Sequence, residues 1–332
     1  MIERGKIWRA GAILMVVMVL MVLGTPDVGV GAEKTLAARS EADVLTVAVI
    51  SDLNGRYGSK EYRATVHDAV RFIIDDVRPD LVLTTGDMVA GQRADLDYKG
   101  MWHAFHAAVS DPLARANIPF AVTPGNHDAS ASPAFFRERI HFVNEWMARK
   151  PNLRFVDASF YPLYYAFELG PALFISMDAT TTGPVDDDQR TWLATLLERH
   201  KHKQTKIVFG HVPLYPFARG REHEIMDDPA LEALFVQHGV DMMITGHHHA
   251  FYPGRRGPLR LVGMACLGSG ARRLVGTEEP SDQSVTVLRI SKRGIESLEA
   301  YKGPGFAGKV ERTDLPETLN RGAWRIVRDD LE

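Results

Sequence analysis

The chain has 332 residues, enough for one large domain or two ordinary ones, and its 45% apolar and 24% charged content excludes disorder as the default. A formal net charge of −3 argues against a dedicated nucleic-acid binder, whose domain is usually basic, although it leaves room for a local basic groove.

Arg4, Lys6 and Arg9 precede an uncharged apolar run over residues 10–24, and Val30 and Ala32 stand at the small-residue positions of a cleavage site. This is the pattern of a secretory signal peptide over residues 1–32, removed after Ala32. The apolar run is shorter than the roughly 18–20 residues that a spanning helix needs, so cleavage is favoured over an uncleaved anchor. No stable membrane span is then expected, and the mature chain, with a charge near −4, is expected to be periplasmic or secreted. Cys266 is the single cysteine, so an internal disulfide is excluded and stability must come from core burial. Its apolar surroundings, LVGMACLG, read as core and not as a catalytic thiol.

From about residue 44 the pattern is strand, helix, strand, helix. VLTVAVISD, DLVLTTGD and IPFAVTPGNHD read as strands, separated by helices over KEYRATVHDAVRFIIDDV and DLDYKGMWHAFHAAVSDPLARA. Such alternation predicts βαβ units and a largely parallel sheet. YYAFELG and ALFISMDAT are short strands joined at Gly170-Pro171, and the helix DDDQRTWLATLLERH follows, with Asp186 to Asp188 at its positive end. Further strands are predicted at KIVFGHVPL, VDMMITGHHHA, LRLVGMACLG, SVTVLRI and GIESLEAYK, with a helix at LEALFVQHG. The reading is one domain over residues 43–303 and a tail over 304–332.

Five strand ends carry polar side chains. They give Asp52, with Asn54 two residues on, then Asp87, then Asn126-His127-Asp128, then His211, then His247 and His249. Glycine precedes all but the first of these groups, letting the backbone turn sharply and neighbouring loops approach one another. In open α/β sheets, ligand sites gather where strands end. Each signal alone is weak, since Gly-Asp is commonly a turn and a lone His after a strand is usually structural. Alternate residues of a strand share a face, which pairs His247 with His249 and turns His248 away.

In this order the set resembles the calcineurin-like metallophosphoesterases. That family is read from Asp-x-His, Gly-Asp, Gly-Asn-His-Asp/Glu, a lone His and Gly-His-x-His. The resemblance spans roughly residues 46–250 and implies an α/β fold, a four-layer αββα sandwich of two mixed β-sheets flanked by helices. It implies two divalent metal ions (Mn, Fe or Zn) bridged by Asp87, with Asp52 and His249 completing one site and Asn126, His211 and His247 the other. Two cations about 3.5–4 Å apart need a shared carboxylate and together can bridge and acidify a water. His127 would not be a ligand but would stabilise the leaving oxygen or protonate it, with Asp128 fixing its tautomer and raising its basicity.

Asn54 stands where the family usually has histidine. Either its neutral amide oxygen coordinates, favouring Mn or Fe over Zn at the first site, or Asn-Gly only makes a turn. Purple acid phosphatases, relatives of the same fold, place a tyrosine ligand three residues after the second-block aspartate; here that position is Ala90, so the chain is not expected to fit that branch.

Around the site, Arg56, Tyr57 and Lys60 fall on one loop, and Arg219, Arg221 and His223 on a rim after His211; surface charge is the bland reading of each. The expected activity is exported hydrolysis of a small phosphomono- or diester, with no nucleic-acid partner. A non-catalytic metal-binding protein of the same fold is the alternative, supported by Asn54 alone. A DNA-repair nuclease is disfavoured by export and acidity, and a serine hydrolase by the lack of a Gly-x-Ser-x-Gly elbow.

Overall fold

The structure is a computed structural model and describes residues 44–331, apart from 269 and 323. The leader expected over residues 1–32 lies outside the described residues. Among the described residues no helix is long and apolar enough to cross a membrane.

The first half is the expected βαβ alternation. β1 (Val44–Ile50), β2 (Leu81–Thr84) and β3 (Phe120–Ala121) are parallel, linked through helices α1 (Ala64–Phe72) and α2 (Tyr98–Phe105). Helix α3 (Phe136–Ala148) then leads to the antiparallel strands β4 (Arg154–Phe160), β5 (Tyr164–Leu169) and β6 (Ala172–Ser176). Parallel pairing resumes with β7 (Thr205–Gly210) and β8 (Met242–Thr245), reached through α4 (Asp187–Arg199) and α5 (Pro229–Gln237). Both helices start on an aspartate cap. Asp186 accepts from the Gln189 N–H at 2.8 Å, and Asp228 from the Leu231 N–H at 2.9 Å.

β9 (Tyr252–Arg256) and β10 (Leu259–Gly263) form a hairpin on β8, and β11 (Ser284–Ser291) returns to pair antiparallel with β1, followed by β12 (Gly294–Lys302). Residues 304–332, set apart as a tail in the sequence, supply strands to both sheets. β13 (Gly308–Lys309) extends one, and β14 (Thr318–Arg321) with β15 (Trp324–Arg328) caps the other beside β9. The result is two mixed sheets, one of six strands and one of nine.

Strand alternation sets the layers. In β7, Ile207 and Phe209 join the core shared with the first sheet, while Val208 joins the core under α4 and α5. Phe174 of β6 and Ile244 of β8 likewise face inward, with Ile175 and Met243 facing outward. On the other side, Val66 of α1, Trp102 of α2 and Trp146 of α3 cover the first sheet. This is the four-layer αββα sandwich.

Several elements depart from the sequence reading. The first predicted helix begins four residues later than expected, at Ala64, and ends in a π turn at Ile73–Val77. Strands β4 and β9 had no clear signal; β4 lies at the sheet edge with its side chains half-exposed, so it lacks the apolar run of its buried neighbours.

Candidate metal centre

The expected ligands lie beyond strands, and at four of them the backbone turns left-handed. Asp52 has φ 49°, Asp87 56°, His247 64° and His249 51°. Left-handed backbone costs an L-residue about 1–2 kcal/mol, and Asp and His tolerate it better than most. The glycines beside them allow close approach. A Cβ at Gly125 would collide with the backbone N and Oδ1 of Asp87, and one at Gly246 would come within 2.7 Å of Asp52 Oδ2.

Asp52, Asp87 and His249 form one cluster, with ligand atoms all within 4.8 Å of one another. His249 Nδ1 lies 3.0 Å from the Gly270 carbonyl, to which it can only donate, and Nε2 lies 3.0 Å from Asp52 Oδ1. Nitrogen lone pair and carboxylate oxygen cannot face each other at that distance without a positive charge. A proton supplies it in the metal-free protein; a divalent cation fits the same donor set. Burial opposes ionisation of Asp52, but His249, His211 and the Ser51 hydroxyl outweigh it and hold the carboxyl down at about 2. The His247 N–H also points at this carboxylate, 3.2 Å from Oδ2.

The second cluster repeats the design. His211 is fully buried, with Nδ1 2.8 Å from the Thr85 carbonyl and Nε2 turned to Asn126 Oδ1 at 2.8 Å and Asp87 Oδ1 at 3.4 Å. His247 packs beside it with ring centroids 5.1 Å apart, but its Nε2 meets Glu224 Oε2 at 3.1 Å. Burial and the neighbouring His211 push the His247 pKa well down, which favours the neutral ring a cation requires. His248 points elsewhere, as expected. Its Nδ1 accepts from the Phe217 and Ala218 N–H groups, and its Nε2 donates to the Glu224 carbonyl.

Asn54 is buried, and its amide donates to the Val89 carbonyl at 3.3 Å, leaving Oδ1 as the ligand-type atom of the side chain. The turn suggested by Asn54-Gly55 comes two residues later, closed by the Ser59 N–H on the Arg56 carbonyl at 2.8 Å.

The expected pairing of Asp128 with His127 requires correction. Asp128 accepts three backbone N–H groups, from Met88 at 2.8 Å, Val89 at 2.9 Å and Gly125 at 2.9 Å. It staples the Asp87 loop to the Asn126 loop. Burial and the nearby Asp87 push its carboxyl well above the ordinary range, against the pull of those donors. The partner of His127 Nδ1 is instead the Gly91 carbonyl, at 3.2 Å. That contact leaves Nε2 facing Asp87 Oδ2 at 3.9 Å, with the side chain 22% exposed.

These groups open onto a cleft of about 740 Å³ lined also by Arg56, Tyr57, Arg93, Arg221, Glu224 and Arg272. Lys60 instead pairs with Asp97 and Arg219 with Glu278, both at the surface, and His223 is exposed. Glu224 and Arg272 carried no motif in the sequence. The carbonyls that orient the imidazoles carried none either, because any residue supplies a carbonyl.

A sequence model of the calcineurin-like phosphoesterases matches residues 45–251. Among curated proteins, purple acid phosphatase 18 of Arabidopsis thaliana is 31% identical over 199 residues, 56% of this chain and 43% of that protein. Phosphoenolpyruvate phosphatase of Allium cepa is 26% identical over 212 residues, 62% of this chain and 41% of that protein. The chain therefore spans less than half the length of either relative, and it is similar to purple acid phosphatases although it has Ala90 at the tyrosine position. Among solved structures, purple acid phosphatase PPD1 from yellow lupin superposes with a TM-score of 0.60 at 16% identity, over 82% of this chain and 53% of that one. A dimetal phosphatase from Danio rerio gives 0.53 at 16% identity, over 81% and 98%. At these identities the superpositions speak for the fold alone.

Proposed function

The chain belongs to the calcineurin-like phosphoesterase family, and on that premise we propose that it is an exported, metal-dependent hydrolase of small phosphate mono- or diesters. The observation that carries the reading is the shared arrangement of His211 and His249. Each commits Nδ1 to a carbonyl and aims Nε2 at an oxygen of Asn126, Asp87 or Asp52, a set of lone pairs that suits divalent cations.

Asp52, His249 and Asp87, with Asn54 Oδ1 as a further oxygen, would hold one ion; Asp87, Asn126, His211 and His247 would hold the other. Two such ions supply an acidified water as nucleophile and neutralise the phosphate oxygens. A neutral amide at Asn54 favours Mn²⁺ or Fe over Zn²⁺ at the first site, and two tight zinc ions per purified chain would contradict that preference.

His127 is the proton donor in this reading. With Nδ1–H fixed on the Gly91 carbonyl, its second proton resides on Nε2, which faces the cleft. Transfer of that proton to the leaving oxygen as the P–O bond breaks returns the ring to the neutral Nδ1–H form. The Tyr57 ring, 5.3 Å from that of His127, walls one side. The competing non-catalytic reading rests on Asn54, and a cleft-facing imidazole with a fixed tautomer speaks against it.

A phosphate-release screen over mono- and diesters, with metals added to stripped protein, tests the proposal. Mn²⁺ should restore activity, and His127→Ala should lower turnover by about 10²–10⁴ while metal content stays at the wild-type value. Failure to release phosphate from any ester with any metal would leave the non-catalytic reading standing. Loss of metal in His127→Ala would overturn the acid role. A secreted product shortened by the leader would support export, and a full-length product retained inside the cell would oppose it.

A further inference from the structure

The cleft holds more positive charge than one phosphate bound to two cations needs, and the following rests on that two-cation reading. Arg56, Arg93, Arg221 and Arg272 all line it. Arg93 lies over the Tyr57 ring, 5.3 Å from its centroid, and half-buried Arg221 is paired with Glu224. Arg272 differs from both. Its Nε–H is buried with no hydrogen-bond partner, and among the described residues no carboxylate lies within ion-pairing distance of its guanidinium. The Asp52 carboxylate attracts it only at longer range and is itself engaged by His249, so a half-buried guanidinium here is costly unless a ligand completes it.

The backbone fixes where this charge stands. The Arg272 N–H donates to the carbonyl of His249, a proposed cation ligand, at 3.2 Å. The same segment is tied to the loop that carries Arg221. The Arg219 N–H donates to the Arg273 carbonyl and the Val275 N–H to the Phe217 carbonyl, both at 2.9 Å, with a bridge between Ala218 and Leu274. Burial disfavours the charge on both arginines, and Arg272 adds repulsion at Arg221, as expected of neighbours. Glu224 offsets one of the two.

We propose that Arg272, with Arg221 beside it, forms a second anion subsite next to the cation cluster. The preferred substrates then carry a second anionic group close to the phosphate that is cleaved. A phosphoanhydride fits this description, as does a phosphate ester whose alcohol bears a carboxylate; an ester of an uncharged alcohol does not. The reaction balances as ordinary hydrolysis. Water adds to phosphorus, the bond to the leaving oxygen breaks, and that oxygen takes a proton or departs as an anion. Arg272 contacts only the bystander charge, where its fork of donors suits phosphate or carboxylate oxygens.

Calorimetric titration of the Mn²⁺-loaded protein with non-hydrolysable ligands tests this. Methylenebisphosphonate reports a second phosphate, phosphonoacetate a carboxylate, and methylphosphonate the absence of either. One or both two-anion ligands should bind at least tenfold more tightly than methylphosphonate. Arg272→Gln should erase most of that preference and Arg272→Lys restore part of it. Arg221→Gln should act in the same direction, more weakly, and stands in if Arg272→Gln does not fold. Equal affinities in the wild type, or an equal loss for all three ligands in the variants, would overturn the subsite. A wild type that releases phosphate from an aryl ester yet shows no preference sinks this inference alone. A wild type that binds none of the three and hydrolyses nothing sinks the two-cation reading with it.

Discussion

Asp128→Asn separates two accounts of the same residue. If Asp128 tuned His127, the amide would move the alkaline limb of the pH–rate profile, where the proton donor is lost, and leave stability and metal content alone. The structure predicts the reverse. The carboxylate receives three N–H groups, Oδ1 those of Met88 and Val89 and Oδ2 that of Gly125. These donors need acceptors whatever the protonation state of the carboxyl. An amide placed with its oxygen toward Met88 and Val89 sets an NH₂ against the Gly125 N–H. One orphaned buried donor costs about 1–3 kcal/mol. With an unfolding entropy of about 2.1 cal/mol/K per residue, 2 kcal/mol lowers the Tm of a domain this size by roughly 3–4 °C. Asp128→Ala orphans all three donors and should cost about three times as much before relaxation. Because the stapled loops carry Asp87 and Asn126, weaker Mn²⁺ binding should accompany the loss and excess Mn²⁺ should recover turnover. Thermal melts, metal titration and the pH–rate profile measure each part. A variant with wild-type Tm and metal content but a displaced alkaline limb would refute the staple.

Asp228→Ala should destabilise by about 2–3 kcal/mol, because it removes the buried carboxylate that pairs with Arg190, which keeps only the Val185 carbonyl and exposed Asp187, and also removes the cap of α5. Burial works against ionised Asp228, but Arg190 and the Leu231 and Val185 N–H groups outweigh it and hold its pKa below the ordinary value. That contribution is therefore fully present above the unfolded carboxylate pKa of about 3.9 and is lost as pH falls through the lower folded value. Urea titrations should show the gap between wild type and variant narrowing below about pH 4, and a constant gap down to pH 2 would refute the linkage. Chelation should destabilise as well. At a free ion concentration one hundred times Kd, a bound ion contributes about 2.7 kcal/mol, or roughly 4–5 °C of Tm. A melt unmoved by chelator would speak against resident cations.

The ligand blocks were legible because buried strands give uninterrupted apolar runs, and a polar residue just beyond a run marks the strand's end. Asp52, Asp87 and His211 could be found that way. His247 and His249 both line the cleft, but for a different reason from the one the sequence suggested. Both residues lie beyond β8, and their left-handed backbone turns them inward. Asp128 was misjudged because adjacency to His127 in sequence resembles contact, whereas its carboxylate points at main-chain donors of another loop. Arg272 could not be found at all. Its meaning lies in a buried Nε–H left without a hydrogen-bond partner, which only the packed loops reveal.

The imidazoles share one logic that ties the fold to the chemistry. His211, His249 and His127 each spend Nδ1 on a backbone carbonyl, from Thr85, Gly270 and Gly91 respectively. Those carbonyls belong to other strand-end loops, so each ring is aimed by an element it does not sit on. Since a carbonyl only accepts, all three rings carry Nδ1–H, and each Nε2 is directed inward. For His211 and His249 the inward atom meets oxygens of Asp87, Asn126 or Asp52, groups from the six-stranded sheet, while the histidines come from the nine-stranded one. His127 comes from the six-stranded side and meets only Asp87, at the longer distance of 3.9 Å. The same tautomer thus gives two rings suited to cations and one left with its Nε2 toward the cleft. In the proposed reading, distance to the carboxylates, and not the kind of residue, is what would separate ligand from acid.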